Sequence, residues 1–323
     1  MRISCAFATS LSTPEHVAVA EGLGYERAWL YDSPALYPDV WAMLALAATR
    51  TSRIGLGPGV LVPSLRHPIA TASAIATLVS LAPGRVSIAI GSGFTGRMTL
   101  GQRPLSWKFV RRYVLAVQAL LRGEATEWEG SVIRMMQPEG FGAARPIQVP
   151  IILGIGGPKG AAVADELAQG VFISGRPVGP IAGGRDCVRL TFGTVLNEGE
   201  DPGSPRAMAA AGHAAAVTFH GLWERGADMS ILPGGPEWKA EIDALPEAER
   251  HIAVHDLHLI GVNERDAKVV NAEMLSRAGL VRTAPEWREA IAELEAAGVT
   301  EIAYQPAGPD IPEELRRFMA ALG

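Results

Sequence analysis

The sequence predicts an α/β fold, a (β/α)8 TIM barrel with insertions at the carboxyl-end face of its strands. Three observations predict it. Short apolar runs of strand length alternate with longer runs that repeat apolar residues at helical spacing, which is the pattern of strand–helix units on a parallel sheet. Several strand-like runs end in glycine, at Gly57-Pro58-Gly59, Gly91-Ser92-Gly93, Gly154-Ile155-Gly156-Gly157 and Ser174-Gly175. Finally, 36 glycines and 23 prolines in 323 residues fit one loop-rich barrel better than two domains, so a single domain over 1–323 is expected.

Taken in order, residues 3–8 read as the first strand and 14–23 as a helix with Pro14 in its first turn, where a missing N–H costs nothing. Residues 27–31 form the second strand and open onto Asp32-Ser33-Pro34; 41–49 form the second helix. The run 54–60 is too short for a helix and carries alternate glycines. Packing alone gives such glycines little reason, and the usual causes are a bulge or a flat ligand against the backbone, so the chain is expected to leave regular strand geometry at Gly59-Val60. Residues 69–81 repeat apolar positions at helical spacing until Pro83-Gly84, and 86–90 form the fourth strand, ending in Gly91-Ser92-Gly93. Two neighbouring strands thus open onto glycines at the end where barrel enzymes work.

A polar loop, 94–105, precedes a long helix, 106–121, whose core stripe is Trp107, Val110, Val114, Val117, Leu120 and Leu121. Residues 126–148 read as a hairpin excursion in which Met135 and Met136 fill gaps. The fifth strand, 149–154, runs into Gly154-Ile155-Gly156-Gly157-Pro158-Lys159-Gly160 and a helix over 161–168. A helix start offers unpaired N–H groups and the positive end of the dipole, and glycines let an anion reach them, so this loop is a candidate phosphate cradle to which Lys159 adds charge. It lacks the Gly-Lys-Ser/Thr of a nucleotide-binding P-loop. Residues 170–173 form the sixth strand, ending at Ser174-Gly175, and 188–196 the seventh; a helix spans 204–223, the stretch 227–253 is rich in Pro and Gly, and 285–297, 300–304 and 312–322 close the fold as helix, strand and helix.

Composition narrows the function. A net charge of −5 with pI near 5.9 and no basic stripe argues against nucleic acid as a partner. Cys5 and Cys187 have no metal-ligand spacing and form no disulfide framework. No apolar run reaches the roughly 18 residues of a spanning helix, and no signal segment is expected, which points to a cytoplasmic protein without a membrane partner. His213, His220 and Glu224 invite a metal reading, with His220 and Glu224 at i, i+4 on one helix face. They match no metal motif, so no metal site is expected, and His251, His255 and His258 read as surface or helix-packing residues.

Gly57-Pro58-Gly59-Val60, Arg66-His67-Pro68, Ala76-Thr77-Leu78 and Gly84-Arg85-Val86 before a strand ending Gly91-Ser92-Gly93 together resemble the bacterial luciferase-like superfamily. The nearest likeness is to its deazaflavin-dependent branch, typified by methylenetetrahydromethanopterin reductase, and it covers most of residues 1–175. The resemblance implies a barrel that binds a flavin or deazaflavin at its carboxyl-end face, with a non-prolyl cis peptide at Gly59-Val60 behind the ring. It implies an acidic–polar pair at Asp32-Ser33 near the ring, for which the reading of Asp32 as a turn cap stays open. Arg66 and His67 are either polar groups of the ligand site or loop anchors. The resemblance places Gly156, Gly157, Pro158 and Lys159 against the cofactor phosphate, and Gly57, Gly59, Val60, Gly91, Ser92, Gly93, Ser174 and Gly175 complete the expected cofactor-binding set.

Coenzyme F420 is the implied cofactor, with FMN the alternative. Three functions follow: an F420-dependent oxidoreductase moving a hydride to or from a small organic substrate, an FMN-dependent monooxygenase, and a non-catalytic flavin-binding relative. A homodimer is implied, because barrels of this kind commonly pair through their second and third helices. Reductases of the branch carry a carboxylate on the first strand, whereas this strand reads Cys5-Ala6-Phe7-Ala8-Thr9. That departure leaves the catalytic residue unassigned and the pterin substrate open.

Overall fold

Eight strands build the barrel: β1 (Arg2–Phe7), β2 (Arg27–Leu30), β3 (Gly55–Pro58), β4 (Ile88–Gly91), β5 (Ile151–Gly154), β6 (Gly170–Ile173), β7 (Asp186–Phe192) and β8 (Glu301–Gln305). The structure is a computed structural model and describes residues 1–175 and 185–323. The strands run parallel in the order β3-β2-β1-β8-β7-β6-β5-β4, and bridges from Leu56 to Val86 and from Leu61 to Ile90 join β3 to β4. Each strand is buried on both faces, which is why the sequence shows continuous apolar runs and not alternation.

Helices α1 (Thr13–Leu23), α2 (Val40–Arg50), α3 (Pro68–Leu81), α4 (Trp107–Arg122) and α5 (Pro158–Leu167) follow the early strands, close to the predicted bounds. Their starts have local causes. Asp39 accepts the N–H groups of Trp41 and Ala42, Ser106 that of Phe109, and Pro14, Pro68 and Pro158 occupy first-turn positions. The loop after β4 contains a short helix, Phe94–Met98, that the sequence reading missed.

The chain packs as two compact units. The first comprises Met1–Gly96, Arg103–Leu190 and Ala297–Ala303. Trp29 fills part of its barrel interior, edge-on to Phe172 with ring centroids 5.4 Å apart, and donates its indole N–H to Glu301 Oε1 at 2.9 Å. Glu301, fully buried, also accepts from Arg27 at 2.8 Å and Arg2 at 3.2 Å, so charged groups stopper the amino ends of β1, β2 and β8. The alternate glycines of β3 have a packing reason after all. A Cβ on Gly57 would stand 1.9 Å from the Ser87 carbonyl oxygen and 3.0 Å from the Trp29 ring, and one on Gly59 would stand 2.9 Å from Trp29 Cβ. β3 does end at Pro58, and the Gly59–Val60 peptide is cis, as expected of this segment.

The second unit comprises Arg97–Gln102, Thr191–Ala296 and Tyr304–Gly323. Here the seventh strand needs correction: residues 188–196 are not one strand. β7 stops at Phe192, Gly193 takes φ 123°, and Thr194–Val195 pairs instead with Val281–Arg282. Helix α6 (Pro205–Glu224) is tied through Arg206 to Glu200 and to Glu314 of the closing helix α7 (Ile311–Leu322). His255 and His258, expected at the surface or against a helix, are buried and meet His220 of α6. No described helix is long and apolar enough to cross a membrane.

Candidate active site

The carboxyl ends of β2 to β6 gather most of the residues singled out in the sequence. Val60, just past the end of β3, lies against the tips of the next two barrel strands. A Cβ on Gly91 would stand 2.7 Å from Val60 Cγ2, and one on Gly154 would stand 3.0 Å from Val60 Cγ1. The glycines at the ends of β4 and β5 therefore make room for this one side chain. Gly93 adopts φ 83°, a left-handed turn that suits glycine, and the Ser92 carbonyl accepts the Leu105 N–H at 2.8 Å.

Asp32 and Ser33, both buried, sit in the loop after β2. The Asp32 carboxylate is committed: it accepts from Arg66 Nη1 at 2.8 Å through each oxygen and from the Val62 N–H at 3.2 Å. Burial raises its pKa above the usual carboxylate value, with the Arg66 guanidinium pulling the other way. The other Arg66 nitrogen reaches Asp39 at 2.8 Å, and the Arg66 carbonyl accepts from Tyr113, whose phenol burial pushes up to about 12. Asp32 thus ties the β2 loop to the loop before α3. His67 is an anchor as well, since its Nδ1 accepts the Ile69 N–H at 3.3 Å and caps α3.

The loop after β5 has the opposite character. A Cβ on Gly156 or Gly157 would meet nothing within 4 Å, so the backbone there faces open space. Gly157 precedes α5 in extended conformation and supplies no side-chain cap, Pro158 starts the helix, and Lys159 is exposed. One turn on, a Cβ on Gly160 would stand 2.5 Å from the Trp107 ring, so close packing against α4 holds the start of the helix in place. The result is a fixed, bare helix amino end with a lysine in its first turn, the arrangement that receives an anion.

Ser174 and Gly175 are exposed at the tip of β6, where the Ser174 carbonyl accepts from Arg189 of β7. Burial lowers the pKa of that guanidinium. Sequence reading passed over Arg189 because it lies inside an apolar strand run with no motif around it. At the end of β1, Thr9 donates its hydroxyl to the Tyr31 carbonyl at 3.0 Å, which occupies its proton in holding the neighbouring strand. The arrangement sets Val60 between the glycine tips of β4 and β5, with open space beside Gly156, Gly157 and Gly175.

Known proteins resemble the chain over half to nearly all of its length. A 5,10-methylenetetrahydromethanopterin reductase of Archaeoglobus fulgidus is 29% identical over 317 residues, covering 91% of this chain and 90% of the relative. An F420-dependent glucose-6-phosphate dehydrogenase of Microbacterium testaceum is 30% identical over 166 residues, covering 47% of this chain and 49% of the relative. Among solved structures, the coenzyme F420 dependent tetrahydromethanopterin reductase of Methanopyrus kandleri superposes with a TM-score of 0.65 at 22% identity, covering 100% of this chain and 99% of that one. The family model for luciferase-like monooxygenases matches residues 11–301, and the chain belongs to that family.

Proposed function

We propose that the protein is an oxidoreductase that moves a hydride between coenzyme F420 and a small organic substrate at the carboxyl-end face of the barrel. The observation that carries the binding half is the bare start of α5: Gly156 and Gly157 stand in open space ahead of an uncapped helix, with Lys159 exposed in its first turn. These residues fit a phosphate, and Val60 with Gly91 and Gly154 fits the face of a flat ring. The choice of F420 is supported by relatives at 30–34% identity whose names state that cofactor, whereas solved monooxygenase structures that resemble the chain are 13–19% identical.

When bound, the deazaflavin supplies the hydride chemistry. The chain's part is placement. Gly156, Gly157 and Lys159 hold the phosphate, Val60 backs the ring, and the Asp32–Arg66 pair keeps the loops around them in register. Asp32 does not donate a proton in this reading, because both of its oxygens are engaged. The first strand contributes no carboxylate, which favours a substrate other than the pterin.

Fluorescence titration of the purified protein with F420 and with FMN tests the proposal. Tighter binding of F420, with no oxygen uptake by the reduced complex, supports it. Tighter FMN binding with oxygen consumption moves the chain to the monooxygenase reading, and binding without turnover of any hydride acceptor or donor leaves a non-catalytic relative. The same reading takes the enzyme as a cytoplasmic homodimer of single-domain chains, with α2 and α3, which expose Leu46 and Leu81, at the contact. Light scattering that returned 34.1 kDa at micromolar concentration counts against the dimer.

A further inference from the structure

Three histidines that share no sequence motif converge in the second unit. His220 lies on α6, and His255 and His258 follow the short helix Arg250–Val254; each is at most 2% exposed. Nδ1 of His258 stands 2.8 Å from Nδ1 of His220 and 3.3 Å from Nδ1 of His255. The outer nitrogens have carboxylate partners. His220 Nε2 is 3.1 Å from Asp266 Oδ2, and His255 Nε2 is 2.9 Å from Glu224 Oε1. Asp266 is itself held, accepting the Trp238 indole N–H at 2.8 Å while its backbone N–H donates to Asn263 Oδ1 at 2.9 Å.

Counting protons shows what this arrangement lacks. A carboxylate only accepts, so the Nε2 atoms of His220 and His255 carry the protons, and in neutral rings their Nδ1 atoms are lone pairs. His258 Nδ1 faces both of those lone pairs and has at most one proton to give. One of the two short contacts is then lone pair against lone pair. A cation at the focus of the three Nδ1 atoms resolves it. The charge agrees, since Asp266 and Glu224 set two carboxylates behind the rings.

We propose that Nδ1 of His220, His255 and His258 binds one divalent late-transition-metal ion, zinc first among them, with Asp266 and Glu224 fixing the rings from behind. One ring nitrogen from each of the three histidines lies within 4.8 Å of the other two. Tetrahedral zinc with nitrogen at about 2.0–2.1 Å needs ligand separations of about 3.3 Å, so the His255–His258 spacing fits and the His220–His258 spacing opens by about half an ångström. Imidazole donors select zinc, copper or nickel over magnesium or calcium. A carboxylate on the outer N–H is the usual partner of a ligating histidine, and it sets the tautomer that exposes the lone pair. The ion would staple α6 to the segment around residues 255–266, a structural role independent of the barrel chemistry.

The test uses untagged full-length protein, stripped with a chelator and titrated with zinc alone. One zinc per chain is expected by calorimetry and metal analysis, with a rise in Tm that chelator reverses. His258→Ala should abolish both effects. Because that variant changes a buried ligand and can fail to fold, Glu224→Gln serves beside it: a folded protein whose zinc affinity falls about 10- to 100-fold supports the site. The proposal is overturned if the parent takes up no zinc at one equivalent and its Tm ignores both zinc and chelator, which would leave a proton-sharing cluster. Zinc binding that persists unchanged in both folded variants overturns it equally, by placing the metal elsewhere.

Discussion

Arg66 presents a single guanidinium nitrogen to both carboxylate oxygens of Asp32, at 2.8 Å each, and its other terminal nitrogen to Asp39. The pair joins residues 34 positions apart and leaves Asp32 with almost no solvent. Removing the arginine alone strands a buried charge. Arg66→Ala should therefore lose about 3 kcal/mol of stability in urea, whereas Asp32→Asn, which keeps the shape and removes the charge, should lose less. An Arg66→Ala midpoint equal to the parent's would show that the pair contributes nothing.

At the start of α5, Gly157→Asp adds a side chain and a negative charge where the cofactor phosphate is expected. Loss of one charge-assisted bond typically costs about 1.5–3 kcal/mol, so F420 affinity should drop at least about tenfold in a fluorescence titration. Tm should hold, because Gly157 is in ordinary extended backbone with open space around its Cβ position. Unchanged affinity would place the phosphate elsewhere.

Two glycine-to-alanine substitutions should part company. Gly156→Ala meets no neighbour and should leave Tm within a degree or two. Gly91→Ala drives a methyl to 2.7 Å from Val60 Cγ2 and should cost about 1–3 kcal/mol, the usual range for overpacking a filled site. Thermal unfolding of the two variants side by side reads the difference.

Glu200 gives the second unit a pH dependence. The Arg206 guanidinium, bonded to it at 2.7 and 2.8 Å, holds its pKa down at about 2, against 4.5 for a free glutamate. The folded-state value is depressed, so the stabilisation is present above about pH 4.5 and is lost as pH falls towards 2. Glu200→Gln should be less stable than the parent by up to about 3 kcal/mol at pH 7, with the gap narrowing below about pH 4.5 and closing only towards pH 2 in denaturant titrations. A gap independent of pH would assign the loss to packing.

Local patterns made most of the barrel legible. Strands buried on both faces read as apolar runs, and proline and polar caps announced helix starts to within a residue or two, except at α5, which begins at Pro158 and not at 161. Contacts between distant segments were not legible. Nothing near Gly57 says that Trp29 occupies the space its side chain would take, and nothing near Asp32 says that Arg66 claims it. The break at Gly193 was hidden because both flanks favour strands, and only the partner at Val281–Arg282 decides where the second flank goes. His220, His255 and His258 scatter over 38 residues and meet only when α6 packs against the following loops. The glycines that face open space, Gly156 and Gly157, were read from sequence because a helix start depends on its neighbours in the chain.

Arg2, Arg27 and Trp29 converge on one fully buried carboxylate, Glu301, so the amino ends of β1, β2 and β8 share a single clasp. With two guanidinium groups and an indole bonded to one carboxylate, a change at residue 301 would be felt at once by three segments that lie far apart in the chain.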